Sequence, residues 1–240
     1  MSISGGVCYF LWDRDHHGDC QFSTIMDGKE NTLRRPLNEF STLVRYNQAI
    51  GIIHKIQAKK EKSFSEIVSA ISPFGLSTKE RGSNNLSSAR DIKLISSAGI
   101  GYIARSEVPK GLDLIDTYKV LVSQTGAEHA GEPSKDGKYR VLTSSMQVLG
   151  PKEICTHSYL VIGSYDQSSF SENVLGYIRT NFVRFLILQA MTSIHLTKAT
   201  FSFVPMQDFS KPWTDEELYA KYGLTDEEIA FIESMIKPIE

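Results

Sequence analysis

No apolar stretch in these 240 residues reaches the roughly 18 residues that a membrane-spanning helix requires. Phe182-Val-Arg-Phe-Leu-Ile-Leu-Gln189 comes nearest, and Arg184 interrupts it. The chain also lacks a charged leader followed by an apolar run, so no export signal is expected and a cytoplasmic location is. Cysteine is scarce: Cys8, Cys20 and Cys155 form no closely spaced pair. An odd count of this kind argues against a disulfide framework and for reduced thiols. No internal repeat is visible, and no nucleophile elbow of a Ser–His–Asp hydrolase. A large net charge is missing too, the total being −2. That total hides an asymmetry. From Trp213 onward there are eight acids and two bases, a balance of −6, which leaves +4 on the other 212 residues. A mildly basic body behind an acidic tail matters more for partners than the sum does.

What remains is ordinary for a soluble globular chain, with 41% hydrophobic and 22% charged residues. The length suits one large domain or two small ones. Gly5–Trp12 and Cys20–Ile25 read as two strands around a turn at Asp13–Asp19, an N-terminal β-hairpin. Leu33–Pro36 reads as a linker, and apolar spacing from Leu37 to Ile56 predicts a helix broken near Asn47. Ser63-Phe-Ser-Glu66 reads as a capping box opening a short helix, stopped at Pro73-Phe-Gly75. Strands are expected at Lys93–Ser96, Gly101–Arg105, Tyr118–Ser123, Ile154–Ile162 and around Phe201–Phe203. One long helix is expected from a cap at Ser169–Glu172 to about Thr192. Elements in this irregular order indicate α+β: a mixed sheet with packed helices, the hairpin in front and two short C-terminal helices.

Those last helices carry the clearest local signals. Thr214-Asp-Glu-Glu217 and Thr225-Asp-Glu-Glu228 are capping boxes, in which Thr accepts a first-turn N–H and Glu reaches back to the cap. Gly223 between them suits a helix stop. The whole run from Phe203-Val-Pro-Met-Gln-Asp-Phe-Ser-Lys-Pro-Trp213 to Glu233 resembles the C-terminal end of adenine-specific DNA methyltransferases of type II restriction–modification systems. Gly5-Gly-Val-Cys-Tyr-Phe-Leu-Trp-Asp-Arg-Asp15, with Gly18-Asp-Cys20, resembles the hairpin that closes their catalytic sheet. Pro73–Leu76, Tyr118–Ser123, Ser158–Gly163 and Tyr177–Leu186 resemble landmarks of their recognition domains.

The resemblance implies residues 1–32 as the terminal hairpin of a catalytic sheet. Residues 33–240 would form a target-recognition domain with an acidic helical tail at 213–240. The Asn-Pro-Pro-aromatic tetrapeptide that holds the adenine in that family is missing, and Gly99-Ile-Gly101 is the nearest thing to a Gly-rich cofactor turn. The chain is therefore expected to bind duplex DNA without methylating it and without a cofactor of its own. S-adenosylmethionine and a catalytic domain would belong to the intact parent, which flips the target base.

Two polar stretches without family wording are the expected reading surface. Ser77–Arg90 offers Lys79, Arg81, Asn84, Asn85 and Arg90, and the stretch from Gln124 closes with Lys135, Lys138, Tyr139 and Arg140; Lys198 joins them. Cationic groups neutralise phosphates, Arg pairs bidentately with guanine, and Asn or Gln with adenine. Lys119 and Arg179 fit phosphate contact or a charged head extended past a covered core, and Trp12 and Trp213 read as packing anchors. His129 and His157 have no recognisable partner and read as structural or solvated. Zinc at Cys8, His16, His17 and Cys20 competes with two strand cysteines beside a solvated turn. Two alternatives stand beside DNA recognition: a metal-dependent nuclease fragment, for which Asp91-Ile-Lys93 supplies half a motif, and a module whose acidic tail docks on a partner.

Overall fold

The computed structural model describes residues 8–26, 28–128 and 133–239. The first sheet pairs β1 (Cys20–Met26) with β2 (Lys29–Arg35), antiparallel, Cys20 opposite Arg35. This corrects the expected hairpin by one strand. Cys20–Ile25 is a strand, but its partner follows it; residues 8–12 carry no strand, and 5–7 lie outside the described residues. Gly28, at φ +73°, takes the left-handed corner that so short a turn demands. Leu33–Arg35 is thus strand rather than linker, and β2 runs across the expected boundary at 32/33. Arg35 is buried and donates from Nη2 to the Val44 carbonyl at 2.8 Å. The Asn47 amide donates to the carbonyls of Phe22 and Asn31, tying the hairpin to the body.

No helix forms over residues 37–46; a 3-10 turn at Asn47–Ala49 leads into α1 (Ile50–Ala58). Leu37 and Leu43 stay exposed, so their helical spacing had no core to face. Ser63 caps as expected, accepting the Ser65 N–H, but Phe64–Ile67 is a 3-10 turn that ends at Val68.

Two three-stranded sheets follow. β3 (Ile92–Ser96) lies between antiparallel β4 (Gly99–Ile103) and parallel β7 (Glu153–Cys155). β5 (Tyr118–Ser123) lies between β6 (Gln147–Leu149) and β8 (Tyr159–Tyr165), both antiparallel to it. Successive side chains on a strand face opposite ways. Val120, Val122, Leu160 and Ile162 accordingly enter the larger core with the helices, while Leu121 and Val161 enter a smaller one with β3 and β7. A sheet covered on both faces needs near-continuous apolar runs, which is what Val120–Val122 and Leu160–Ile162 are.

The expected strand Ile154–Ile162 is in fact two, β7 and β8, in different sheets. The expected helix 169–192 is also two: α2 (Ser168–Arg179) and α3 (Asn181–Ala190). Thr180 breaks it by leaving helical geometry and accepting the Val183 N–H, while the Asp215 carboxylate accepts the N–H groups of Asn181 and Phe182. The start of α2 has no side-chain cap, contrary to the Ser169–Glu172 expectation. Phe201–Phe203 is not a strand either; Lys198–Phe201 forms a 3-10 turn that buries Phe201.

Helices α4 (Asp215–Tyr222) and α5 (Asp226–Met235) carry both expected capping boxes, with Gly223 left-handed at φ 60°. They are no free tail. Leu218 and Ile232 are buried, and the Tyr222 ring stacks on Phe182 at 5.2 Å. No helix of the described residues is long and apolar enough to cross a membrane.

Candidate nucleic-acid interface

The break between β7 and β8 organises the surface. At Thr156–Ser158 the chain leaves one sheet for the other and binds both polar loops on the way. The Thr156 N–H donates to Ile95, the His157 N–H to Leu76 at 2.9 Å, and the Ser158 carbonyl accepts the Gln124 N–H at 2.9 Å. Leu76 is the root of the first loop and Gln124 the root of the second, so one three-residue crossover holds both. The Gln124 carbonyl in turn accepts the Leu196 N–H, and Gly126 donates to Ile194, which brings the segment around His195 alongside.

Between these roots lies a cleft of about 560 Å³. Of its eleven lining residues eight bear hydroxyls, two are His157 and His195, and one is Gln124. No carboxylate, lysine or arginine lines it. Among the described residues, the side chains of Thr78, Ser97, Gln124, Thr125, His157 and His195 make no hydrogen bond to the protein. Ser123 Oγ accepts the Thr125 N–H, and the hydroxyls of Thr143 and Ser145 bond each other at 2.7 Å. Tyr159, also lining the cleft, has its phenol pKa raised by burial. An imidazole offers one donor and one acceptor when neutral, and a hydroxyl offers both. The cleft is therefore a dense field of adaptable hydrogen-bonding groups.

The first loop is held against β4. Ser83 and Tyr102 exchange both backbone bonds, at 2.7 and 2.8 Å. This demands glycine at 101, where a Cβ would sit 1.8 Å from the Arg81 carbonyl oxygen. Lys79, Asn84 and Asn85 are exposed, with no side-chain partner among the described residues. Arg81 instead turns back and donates to the carbonyls of Thr78 and Glu80, and Arg90 pairs with Glu107 at 3.3 Å. Their cations are engaged on the protein while both residues stay exposed.

The second loop departs further from expectation. Its closing half is strapped to α5: the Tyr139 N–H donates to Met235, the Lys237 N–H to Tyr139, and Lys138 Nζ to the Glu233 carbonyl at 2.8 Å. Tyr139 is buried, its hydroxyl 2.9 Å from that of Tyr46 and its pKa raised by that burial. The Glu128 carboxylate accepts the N–H groups of Arg140 and Val141. The backbone of residues 138–141 thus belongs to the frame. Lys135 and Arg140 keep exposed side chains without partners among the described residues, as does Lys198. His129 lies outside the described residues.

Other expectations resolve as follows. Lys119 is fully buried and donates to the carbonyls of Thr117 and Gly150, so it neither reaches phosphate nor extends past the core. Arg179 is exposed. Trp213 is an anchor, with its indole N–H on the Asp208 carbonyl and Lys211 Nζ over its ring at 3.9 Å. Trp12 is not: it is 73% exposed beside Tyr9, Phe10 and Leu11, which are exposed as well. Asp91 and Lys93, the nuclease half-motif, are spent on separate ion pairs with Lys152 and Glu153. No group of three or more potential metal ligands occurs among the described residues. Gly99-Ile-Gly101 lies in a β-hairpin strand rather than at a helix entrance, so it does not fit S-adenosylmethionine.

Sequence reasoning missed His195 altogether and set His157 aside. Neither has a local motif; the crossover and the backbone bridge between Thr125 and His195 bring them to one cleft. No protein-family model, no curated protein and no solved structure matches this chain.

Proposed function

We propose that the protein is a double-stranded DNA recognition module, of the kind that positions a target for a separate adenine-methylating domain. The observation that carries this reading is the shared rooting of the two polar loops on one crossover, around a cleft with no carboxylate to repel a polyanion. Lys79, Asn84 and Asn85 of the first loop, Gln124 at the cleft, and Lys135, Arg140 and Lys198 are the side chains left unengaged to meet DNA. Cations position the duplex on its phosphates, and amides carry base preference. Arg81, Arg90 and Lys138 serve to hold the loops. The chain performs no methyl transfer in this reading, and S-adenosylmethionine chemistry belongs to the partner domain.

The test is a gel shift on random duplex at low and moderate salt. Binding that weakens steeply as salt rises is expected; absence of any shifted species at low salt ends the proposal.

A second reading has one observation in its favour. Tyr9, Phe10, Leu11 and Trp12 are 73–97% exposed. Large apolar side chains clustered in this way mark protein-contact surfaces. Docking on a catalytic partner would run through this segment rather than through the acidic helices, whose apolar faces are already covered by α3.

A further inference from the structure

We infer that the cleft between the loop roots is a phosphate-oxygen site, with His157 and His195 as its central donors. The proposal deepens the DNA reading for a backbone phosphate but stands without it for a free phosphate. Shape comes first. A duplex groove is read by convex elements that enter it, whereas a concavity of about 560 Å³ receives a group that projects. The projecting part of a nucleic acid is its sugar–phosphate strand.

Chemistry narrows the ligand further. Eight hydroxyls, two imidazoles and a carboxamide can all donate, and the lining has no carboxylate to compete as acceptor or to repel an anion. No aliphatic residue is among those that line it. Serine, threonine and glutamine side chains are among the groups that contact phosphate oxygens. The unengaged groups lie on both walls: Thr78 and Ser97 come from the first loop and the β3–β4 turn. Gln124 and Thr125 come from the second loop, and His157 from the crossover. His195 is held opposite Thr125 by a backbone bridge. Five separate segments thus aim unpaired polar side chains at one volume. Exposed polar groups normally scatter; here they converge.

The experiment follows the histidine side-chain resonances of the intact chain by NMR. Inorganic phosphate is titrated against sodium chloride at matched ionic strength, and a short random duplex is titrated separately. The site predicts that phosphate shifts both His157 and His195 while chloride does not, and that His157→Gln with His195→Gln weakens phosphate binding about tenfold. If duplex moves the same two resonances, the phosphate bound is that of DNA. If phosphate moves them and duplex binds nowhere, the cleft serves free phosphate, and the DNA reading fails while the site survives. If duplex binds and neither imidazole responds to either titrant, the site is wrong and the DNA reading survives. Silence of both imidazoles towards phosphate overturns the assignment whatever the variants do, since this arm uses the unmodified protein.

Discussion

The backbone N–H of His157 donates to the carbonyl of Leu76 at 2.9 Å, joining the crossover between the two sheets to the root of the first polar loop. The carbonyl of the next residue, Ser158, accepts the Gln124 N–H and so holds the root of the second loop. Because these are main-chain bonds to adjacent residues, the loop roots cannot separate without breaking one of them. A cleft built in this way is preorganised, which lowers the ordering cost of whatever it binds.

Gly101 should be intolerant of a side chain. Its Cβ would overlap the Arg81 carbonyl, and that contact is backbone, so no rotamer relieves it. Gly101→Ala is expected to detach the Ser83–Tyr102 pairing and to cost about 1–3 kcal/mol. Thermal melting reads the stability, and duplex binding should fall with it. An unchanged melt would mean that the first loop is not anchored as described.

Removing unengaged cations should alter the salt dependence, and removing engaged ones should not. Lys79→Ala, Lys135→Ala, Arg140→Ala and Lys198→Ala are each expected to lower the log–log salt slope by about 0.9 if that residue touches phosphate. Arg90→Ala, which only loses an exposed pair with Glu107, should leave the slope unchanged. Equal slopes across all five variants would remove the cationic contribution from the proposed interface.

Lys119 makes a sign-definite prediction about pH. Burial pushes its pKa down from 10.5 to about 8, opposed in part by Cys155, Glu153 and Asp116. Between these values the unfolded chain holds a proton that the folded chain has released. Stability contributed by this residue therefore rises with pH through that window, and below about 8 its buried charge is a constant penalty. The shift corresponds to about 3 kcal/mol. Cys155 and several tyrosines have raised pKa values and act oppositely at alkaline pH, so the readout is a difference. Denaturant unfolding of the protein and of Lys119→Met should diverge between pH 8 and 10.5, with the lysine protein gaining on the variant as pH rises. Parallel curves would show that the ammonium is not desolvated.

Arg184 should prove the clasp of the C-terminal strap. It is buried, its pKa is lowered to about 10 by that burial, and it donates to the carbonyls of Lys237 and Arg140 and to the Asn181 side chain. Arg184→Ala leaves those acceptors unmatched, at a cost of about 1–3 kcal/mol for each one that stays buried. Hydrogen exchange at the Tyr139 and Lys237 amides, which pair with the strap, should accelerate first. Exchange that stays slow in a folded variant would assign the strap to other contacts.

Legibility in the sequence followed the range of the signal. The capping boxes at Thr214 and Thr225 and the stop at Gly223 were readable because each motif is complete within four residues. Tyr118–Ser123 was readable because a strand covered on both faces needs a near-continuous apolar run, here Val120–Val122. Ile154–Ile162 misled for the same reason: two buried strands separated by Thr156-His-Ser158 look like one. Lys138 read as a groove contact because nothing nearby reveals that α5 waits for it, and the hairpin slipped by a strand because Lys29–Arg35 is polar on both faces.

The chain by itself determined its α+β class, the caps of its last two helices and its two long polar stretches, since propensity, capping and scarcity of apolar residues act over neighbouring positions. Tertiary structure decided which cations remain available and that His157 and His195 share a cleft. Most of those outcomes depend on bonds between residues far apart in sequence, as between Lys138 and Glu233 or Thr125 and His195, and such bonds leave no trace in local composition.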